Sequence, residues 1–230
     1  MKVIGLLGGM SWESTALYYR ILNQQVKQQL GGLHSAELVL YSVDFQRIEQ
    51  LQAAGEWQQA GNILAEAARN LERAGAQFIV LCTNTMHKVA GQISAATTIP
   101  LLHIADATGR RIRQAGVHKV GLLATRFTME QDFYRGRLRE QFDLEVITPD
   151  EADQKFVHEV IYHELCLGEI KPESRLRYRA IMQKLVAQGA EAIILGCTEI
   201  TLLVDATDAS VPLFDTTLIH AEDAVIQALK

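Results

Sequence analysis

Cysteine is scarce in this chain. Three residues of 230, Cys82, Cys166 and Cys197, are odd in number and too widely spaced for a disulfide framework, and no two have the close spacing of a zinc site. Free thiols in a reducing cytoplasm are the expectation. Long apolar runs are also missing. The opening Met1-Lys2-Val3-Ile4-Gly5-Leu6-Leu7-Gly8-Gly9-Met10 is too short and too glycine-broken for a signal peptide or a membrane span. Nor is there an excess of positive charge: 22 Lys and Arg stand against 27 Asp and Glu, for a net charge of -5, which argues against nucleic acid or an anionic membrane as partner. No low-complexity linker appears, so any domain boundary is tight.

What is present is ordinary globular composition, 48% hydrophobic and 21% charged, in a chain long enough to bury one large core or two small ones. Runs rich in Val, Ile and Leu at 2–7, 36–43, 77–82, 119–124 and 192–196 read as strands buried on both faces. Segments with helical periodicity lie between them, among them 60–73 and 176–187, followed by Gly75 and Gly189 where a helix should stop. This alternation predicts an α/β fold with parallel sheets flanked by helices.

An internal repeat refines that picture. KVIGLLGGMSWESTALYYRIL at the N-terminus resembles KVGLLATRFTMEQDFYRGRL from Lys119, and AGAQFIVLCTNT from Ala74 resembles QGAEAIILGCTE from Gln188. Two matches in the same order predict two pseudo-symmetric Rossmann-like halves, 1–103 with a returning 212–230, and 104–211. In this self-alignment Cys82 falls on Gly196 and Thr83 on Cys197. Both Thr83 and Cys197 follow the carboxyl end of a strand, where open α/β sheets place ligand-binding residues.

Inverting a stereocentre requires a proton taken from one face and another delivered to the opposite face, and a pseudo-symmetric protein is suited to hold the two groups. A thiolate serves if its environment favours it, and Cys197 precedes residues expected to open a helix whose positive end would do so. By residue type alone Cys197 is either a buried filler or an acid/base group. Thr83 is either a turn or cap residue or the partner of Cys197.

Leu6-Leu7-Gly8-Gly9-Met10, Thr83-Asn84-Thr85-Met86-His87 and Gly196-Cys197-Thr198-Glu199, in order and spread over the whole chain, resemble the aspartate/glutamate racemase family of the Asp/Glu/hydantoin racemase superfamily. The resemblance implies two Rossmann-like domains with the active site between them, racemisation with no cofactor and no metal, an amino-acid substrate, and a possible homodimer. It also implies a catalytic Cys in each half, with the second-half Cys acting on the L enantiomer. Cys197 matches that residue. Thr83 stands where the family usually has the first-half Cys, and Cys82, one residue earlier on a strand, should face away from the pocket. The expected reaction is therefore removal of the L-side proton by Cys197 and delivery by Thr83.

The same resemblance, with helix physics, suggests substrate contacts at Met10 and Ser11 in the first turn, Asn84 and Thr85, Thr125 and Thr128 in the equivalent turn, and Thr198 and Glu199. Arg47 and Arg126 are candidates for a side-chain carboxylate. Cys166 falls where aspartate racemases place a substrate-binding lysine, which argues against simple transfer of strict aspartate specificity. His87 could tune the first-half site, and Trp12 could line its mouth. Two other readings remain: a single-thiol decarboxylase of the superfamily, and a catalytically inactive amino-acid-binding protein.

Overall fold

A computed structural model describes all 230 residues. The first half runs β1 (Ile4–Gly8), α1 (Trp12–Leu30), β2 (Leu38–Ser42), α2 (Phe45–Ala53), α3 (Trp57–Arg73), β3 (Phe78–Leu81), a 3-10 turn at Thr85–Val89, α4 (Ala90–Ala95), β4 (Leu101–Leu102) and α5 (Ile104–Gln114). The second runs β5 (Lys119–Ala124), α6 (Arg126–Glu130), α7 (Asp132–Phe142), β6 (Glu145–Ile147), α8 (Glu151–His163), a 3-10 turn at Leu165–Leu167, α9 (Pro172–Ala187), β7 (Ala192–Gly196), α10 (Ile200–Leu203), a 3-10 turn at Ala206–Asp208, β8 (Leu213–Asp215) and α11 (Thr216–Leu229).

Each half carries one four-stranded parallel sheet, ordered β2-β1-β3-β4 and β6-β5-β7-β8. The order is the same in both, and so is the register. Gly5 lies opposite Ile79 and Gly121 opposite Ile193, and Ile79 and Ile193 are equivalent in the sequence repeat. Both glycines allow close packing: a Cβ on Gly5 would stand 2.8 Å from the Ala76 Cβ, and one on Gly121 2.7 Å from the Ile193 Cδ1. The helix stops match too. Gly75 and Gly189 take positive φ, 95° and 94°, and the next amides close back over them, Ala76 onto the Leu71 carbonyl and Ala190 onto the Leu185 carbonyl. That is the glycine-terminated helix end in which a left-handed residue lets the chain turn back.

The chain divides into two units, Met1–Ile104 with His220–Lys230, and Ala105–Ile219. In the first, strand side chains alternate between two apolar layers. Leu7, Ile79 and Leu81 pack with Ala60, Leu64 and Leu71 of α3, while Ile4, Leu6, Phe78, Val80 and Cys82 pack with Tyr18 and Leu22 of α1 and Ala221 and Val225 of α11. In the second, α8 and α9 pack on β5, with Val160, Tyr178, Ile181 and Leu185 buried.

Five strands stand where the apolar runs predicted them; β4, β6 and β8, two or three residues each, were not anticipated. One expectation is corrected. The run at 36–43 is an edge strand, with Leu40 and Tyr41 exposed, so its apolar character does not reflect burial on both faces. The second crossing between units falls at 219/220, within α11, rather than 211/212, because β8 pairs with β7 and holds residues 213–215 in the second sheet. No helix is long and apolar enough to cross a membrane.

Candidate active site

In the first unit, β3 ends at Leu81 and the chain turns sharply. The Thr83 amide donates to the Leu81 carbonyl at 2.9 Å, and the Cys82 amide to the Leu7 carbonyl at 2.9 Å. Cys82 is fully buried in the layer beneath α1, and burial pushes its thiol far up, so it is an inert core residue on the side opposite the α3 layer. Thr83 is half-buried; Asn84 and Thr85 are buried.

The helix expected to open at Asn84 and Thr85 is a five-residue 3-10 turn. The reason is local. In an α-helix the Thr83 carbonyl would accept from the His87 amide. Here the His87 amide bonds to the Asn84 carbonyl at 3.1 Å, and the His87 ring takes the Thr83 carbonyl, Nδ1 to oxygen 2.7 Å.

The first βα turn is well capped. Ser11 caps α1, accepting from the Ser14 amide at 3.2 Å, and the Thr15 hydroxyl accepts from the Gly9 amide at 2.8 Å while donating to the Ser11 carbonyl. Met10 is packed into the apolar layer with Leu64 and Met86. Arg47 lies on the exposed face of α2, and Trp12 is exposed on α1.

In the second unit, Cys197 follows β7 and is half-buried, with Sγ 3.0 Å from the Glu199 Oε2. Glu199 is buried. The structure corrects the expected electrostatics at this sulfur. The Cys197 thiol is pushed well above its ordinary value, first by burial, then by the charges of Glu199 and Cys166 and by the hydrogen bond that its S–H makes to Glu199. A backbone bond from Glu199 pulls the other way and loses. The expected helix is α10, only four residues long, whose dipole is too small to oppose a carboxylate in contact with the sulfur. The resting side chain is a thiol.

Neighbours complete the setting. Thr198 is buried and pairs its hydroxyl with that of Thr217 at 2.9 Å, while Thr216 donates to the Leu195 carbonyl at 2.9 Å, so the start of α11 braces the end of β7. Cys166, half-buried on its 3-10 turn, acts electrostatically on both Cys197 and Tyr178. Tyr178 is buried, donates to the Val157 carbonyl at 3.1 Å, and has its phenol pushed up by burial and then by electrostatic interaction with Cys197, Glu164 and Cys166. Thr125 and Thr128 are buried with hydroxyls 3.3 Å apart. Arg126 is on the surface, paired with Glu130 at 3.9 Å. No group of three or more His, Cys, Asp or Glu has a metal-holding arrangement.

The structure therefore gathers Thr83, Asn84, Thr85 and His87 at the end of β3, and Cys197, Thr198, Glu199 and Cys166 at the end of β7. Tyr178 and Thr217 were missed by sequence reasoning. Nothing marks Tyr178 among the apolar positions of its helix, whereas Asp215-Thr216-Thr217 carries a helix-start signature that would have found Thr217: its amide donates to the Asp215 Oδ1 at 2.8 Å.

Replacing Glu199 with glutamine should lower the thiol's titration point, because it removes the carboxylate charge while keeping the shape. The pH dependence of iodoacetamide alkylation at Cys197, resolved by peptide mass spectrometry, should inflect at lower pH in Glu199→Gln than in the parent. An unchanged inflection would assign the elevation to burial and Cys166 and not to Glu199.

A profile of the Asp/Glu/Hydantoin racemase family matches residues 7–224. The chain belongs to this family. It is similar over its full length to a candidate Asp/Glu racemase from Yersinia pestis, at 63% identity and a TM-score of 0.94, with both chains covered completely. An aspartate racemase homologue from Pyrococcus horikoshii OT3 is 35% identical, again over 100% of both chains, with a TM-score of 0.84. The broad specificity amino-acid racemase RacX of Bacillus subtilis is 25% identical over 231 residues, 97% of this chain and 96% of RacX. Racemase family membership agrees with the end-to-end motif order and with the paired four-stranded sheets.

Proposed function

We propose that the chain is an amino-acid racemase acting on aspartate, glutamate and related amino acids, with Cys197 as the acid/base on the L side and Thr83 serving the opposite face. The observation that carries this reading is the Cys197 thiol bonded to the Glu199 carboxylate at the end of β7, inside a complete second-half family motif.

A thiol must lose its proton before it can take one from carbon. Burial and the neighbouring carboxylate raise this thiol, so the transfer costs more than it would for a free thiol. A bound substrate's α-ammonium beside the sulfur lowers that cost, by less than the ~4 kcal/mol of an isolated pair ~4 Å apart at an effective dielectric of ~20, because it also attracts the Glu199 carboxylate that the transfer neutralises. The thiolate is a transient species formed with substrate bound, and Glu199 receives the S–H proton. Cys197 then takes the α-proton from an L-amino acid, the Thr83 hydroxyl delivers its own to the other face of the carbanion, Thr83 regains a proton from water, and the hydroxide so formed is neutralised by the proton that Glu199 gives up, which restores the resting thiol, hydroxyl and carboxylate. The amides and hydroxyls of Asn84, Thr85 and Thr198, with Met10, Ser11, Thr125 and Thr128, are proposed to hold the carboxylate and amino groups. Arg47 is a candidate for a distal carboxylate. Cys166 in place of a lysine favours tolerance of neutral side chains.

The test is a panel of L- and D-amino acids incubated in D2O and read by NMR for loss of the α-proton. Exchange and inversion are expected for at least one acidic or small polar amino acid. Carbon dioxide release from a disubstituted malonate, or tight binding with no exchange, would replace this reading with one of the other two. A cytoplasmic setting fits the free thiols. We also propose a homodimer, supported by the exposed Leu33, Leu40 and Tyr41 on and before the edge strand β2. Sedimentation at micromolar concentration should give the mass of two chains; a single-chain mass would refute it.

A further inference from the structure

Two buried histidines of the first unit are locked in opposite tautomers, and their partners show what they do. The Ile104 amide can only donate, and it points at the His87 Nε2 at 3.2 Å. Nε2 therefore carries the lone pair and Nδ1 the proton, which goes to the Thr83 carbonyl at 2.7 Å. His220 is the reverse. The Leu102 carbonyl can only accept, so His220 Nε2 donates to it at 2.9 Å, and Nδ1 accepts from the Tyr18 hydroxyl at 2.9 Å. The two rings thus hold the link between β4 and α5 at its carbonyl and at its amide. Both are buried, as is Tyr18.

For Thr83 this is consequential. Its amide is tied to Leu81 and its carbonyl to His87, so both main-chain groups are fixed and the position of the side chain is set. The His87 ring is fixed in turn from its far side by Ile104, a neighbour of the Leu102 that His220 grips. A proton donor to carbon must be held within a fraction of an ångström, and a displacement of ~1 Å can cost ~10²-fold in rate.

We propose that His87 is a positioning residue for Thr83, acting through the Thr83 carbonyl, and that its Nδ1–H is the working group. This rests on the reading of Thr83 as the donor to the second face of the carbanion.

The experiment compares His87→Asn, His87→Gln and His87→Leu in the full-length protein. An asparagine amide can place a donor near the Nδ1 position and keep the Thr83 bond. A glutamine reaches the Nε2 position and keeps an acceptor for Ile104 but loses the donor to Thr83. Two rates are read on an L-amino acid in D2O: α-proton exchange with retained configuration, which needs only Cys197, and inversion, which needs Thr83 as well. For His87→Leu, inversion is expected to fall ~10²-fold while exchange and KM change by less than about threefold. Asparagine should restore most of the inversion and glutamine little. If the leucine variant does not fold, the asparagine and glutamine pair decides. Equal inversion in that pair, or exchange and inversion falling together in folded variants, overturns the proposal while leaving the racemase reading intact. A parent protein that neither exchanges nor inverts any amino acid of the panel sinks both.

Discussion

Cys197→Ala is expected to lower L-to-D turnover by at least about three orders of magnitude and to abolish α-proton exchange from the L enantiomer. The magnitude follows from the role. A positioned acid/base group contributes roughly 10²–10⁴ to a proton transfer; Cys82 is fully buried on the other side of its strand, and Cys166, the thiol near Cys197, is held on a separate 3-10 turn. Exchange and inversion should vanish together, because in the proposed reaction both begin with removal of the α-proton by Cys197. Cys197→Ser is the stricter comparison. It keeps a hydroxyl in reach of Glu199, 3.0 Å from the parent sulfur, but an alcohol is a far weaker acid than a thiol and yields too little conjugate base. Serine is therefore expected to fall nearly as far as alanine. The measurements are optical rotation with a coupled enantiomer assay, and NMR exchange in D2O. An alanine variant that still exchanges the L-side proton at more than a tenth of the parent rate would remove Cys197 from the chemistry.

How much of this was legible in the sequence differs between fold and site. β1, β3, β5 and β7 announced themselves because strands buried in a parallel sheet need consecutive apolar residues, whereas β2 has the apolar run without the burial. The repeat identified equivalent positions well enough that Gly5 and Gly121, Gly75 and Gly189, occupy the same places in the two sheets. β4, β6 and β8 escaped because two or three residues carry no periodicity to read. At the site, the positions Thr83 and Cys197 were visible, but their electrostatics were not. A helix start after Cys197 pointed to a stabilised thiolate. What decided the sign was Glu199, two residues on, folding its carboxylate back onto the sulfur, and a rotamer cannot be read from a sequence. At Thr83, likewise, the choice between α-helix and 3-10 turn depends on whether a carbonyl takes an amide or an imidazole four residues later, and only His87's burial against Ile104 settles it.

Thr83→Ala should separate the two halves of the reaction. With Cys197 intact, the L-amino acid still loses its α-proton and regains one from the same side, so exchange with retention persists while inversion drops ~10²–10⁴-fold. Thr83→Cys should do the reverse and raise kcat from the D side by about 10-fold or more, since a thiol ionises within reach of neutral pH and an alcohol does not. The comparison must be made with care for thermodynamics. L and D enantiomers have equal free energies, so kcat/KM must be the same in both directions for any variant, and asymmetry can appear only in kcat and KM separately. The parent protein should therefore show a low D-side kcat matched by a low D-side KM, and saturating rates from the two enantiomers should be markedly unequal. Thr83→Cys should bring the two kcat values together. If D-side kcat does not rise in that variant, or if Thr83→Ala still inverts at a rate near the parent's, the second face is served by another group and Thr83 is only the turn residue that its place after β3 also suits.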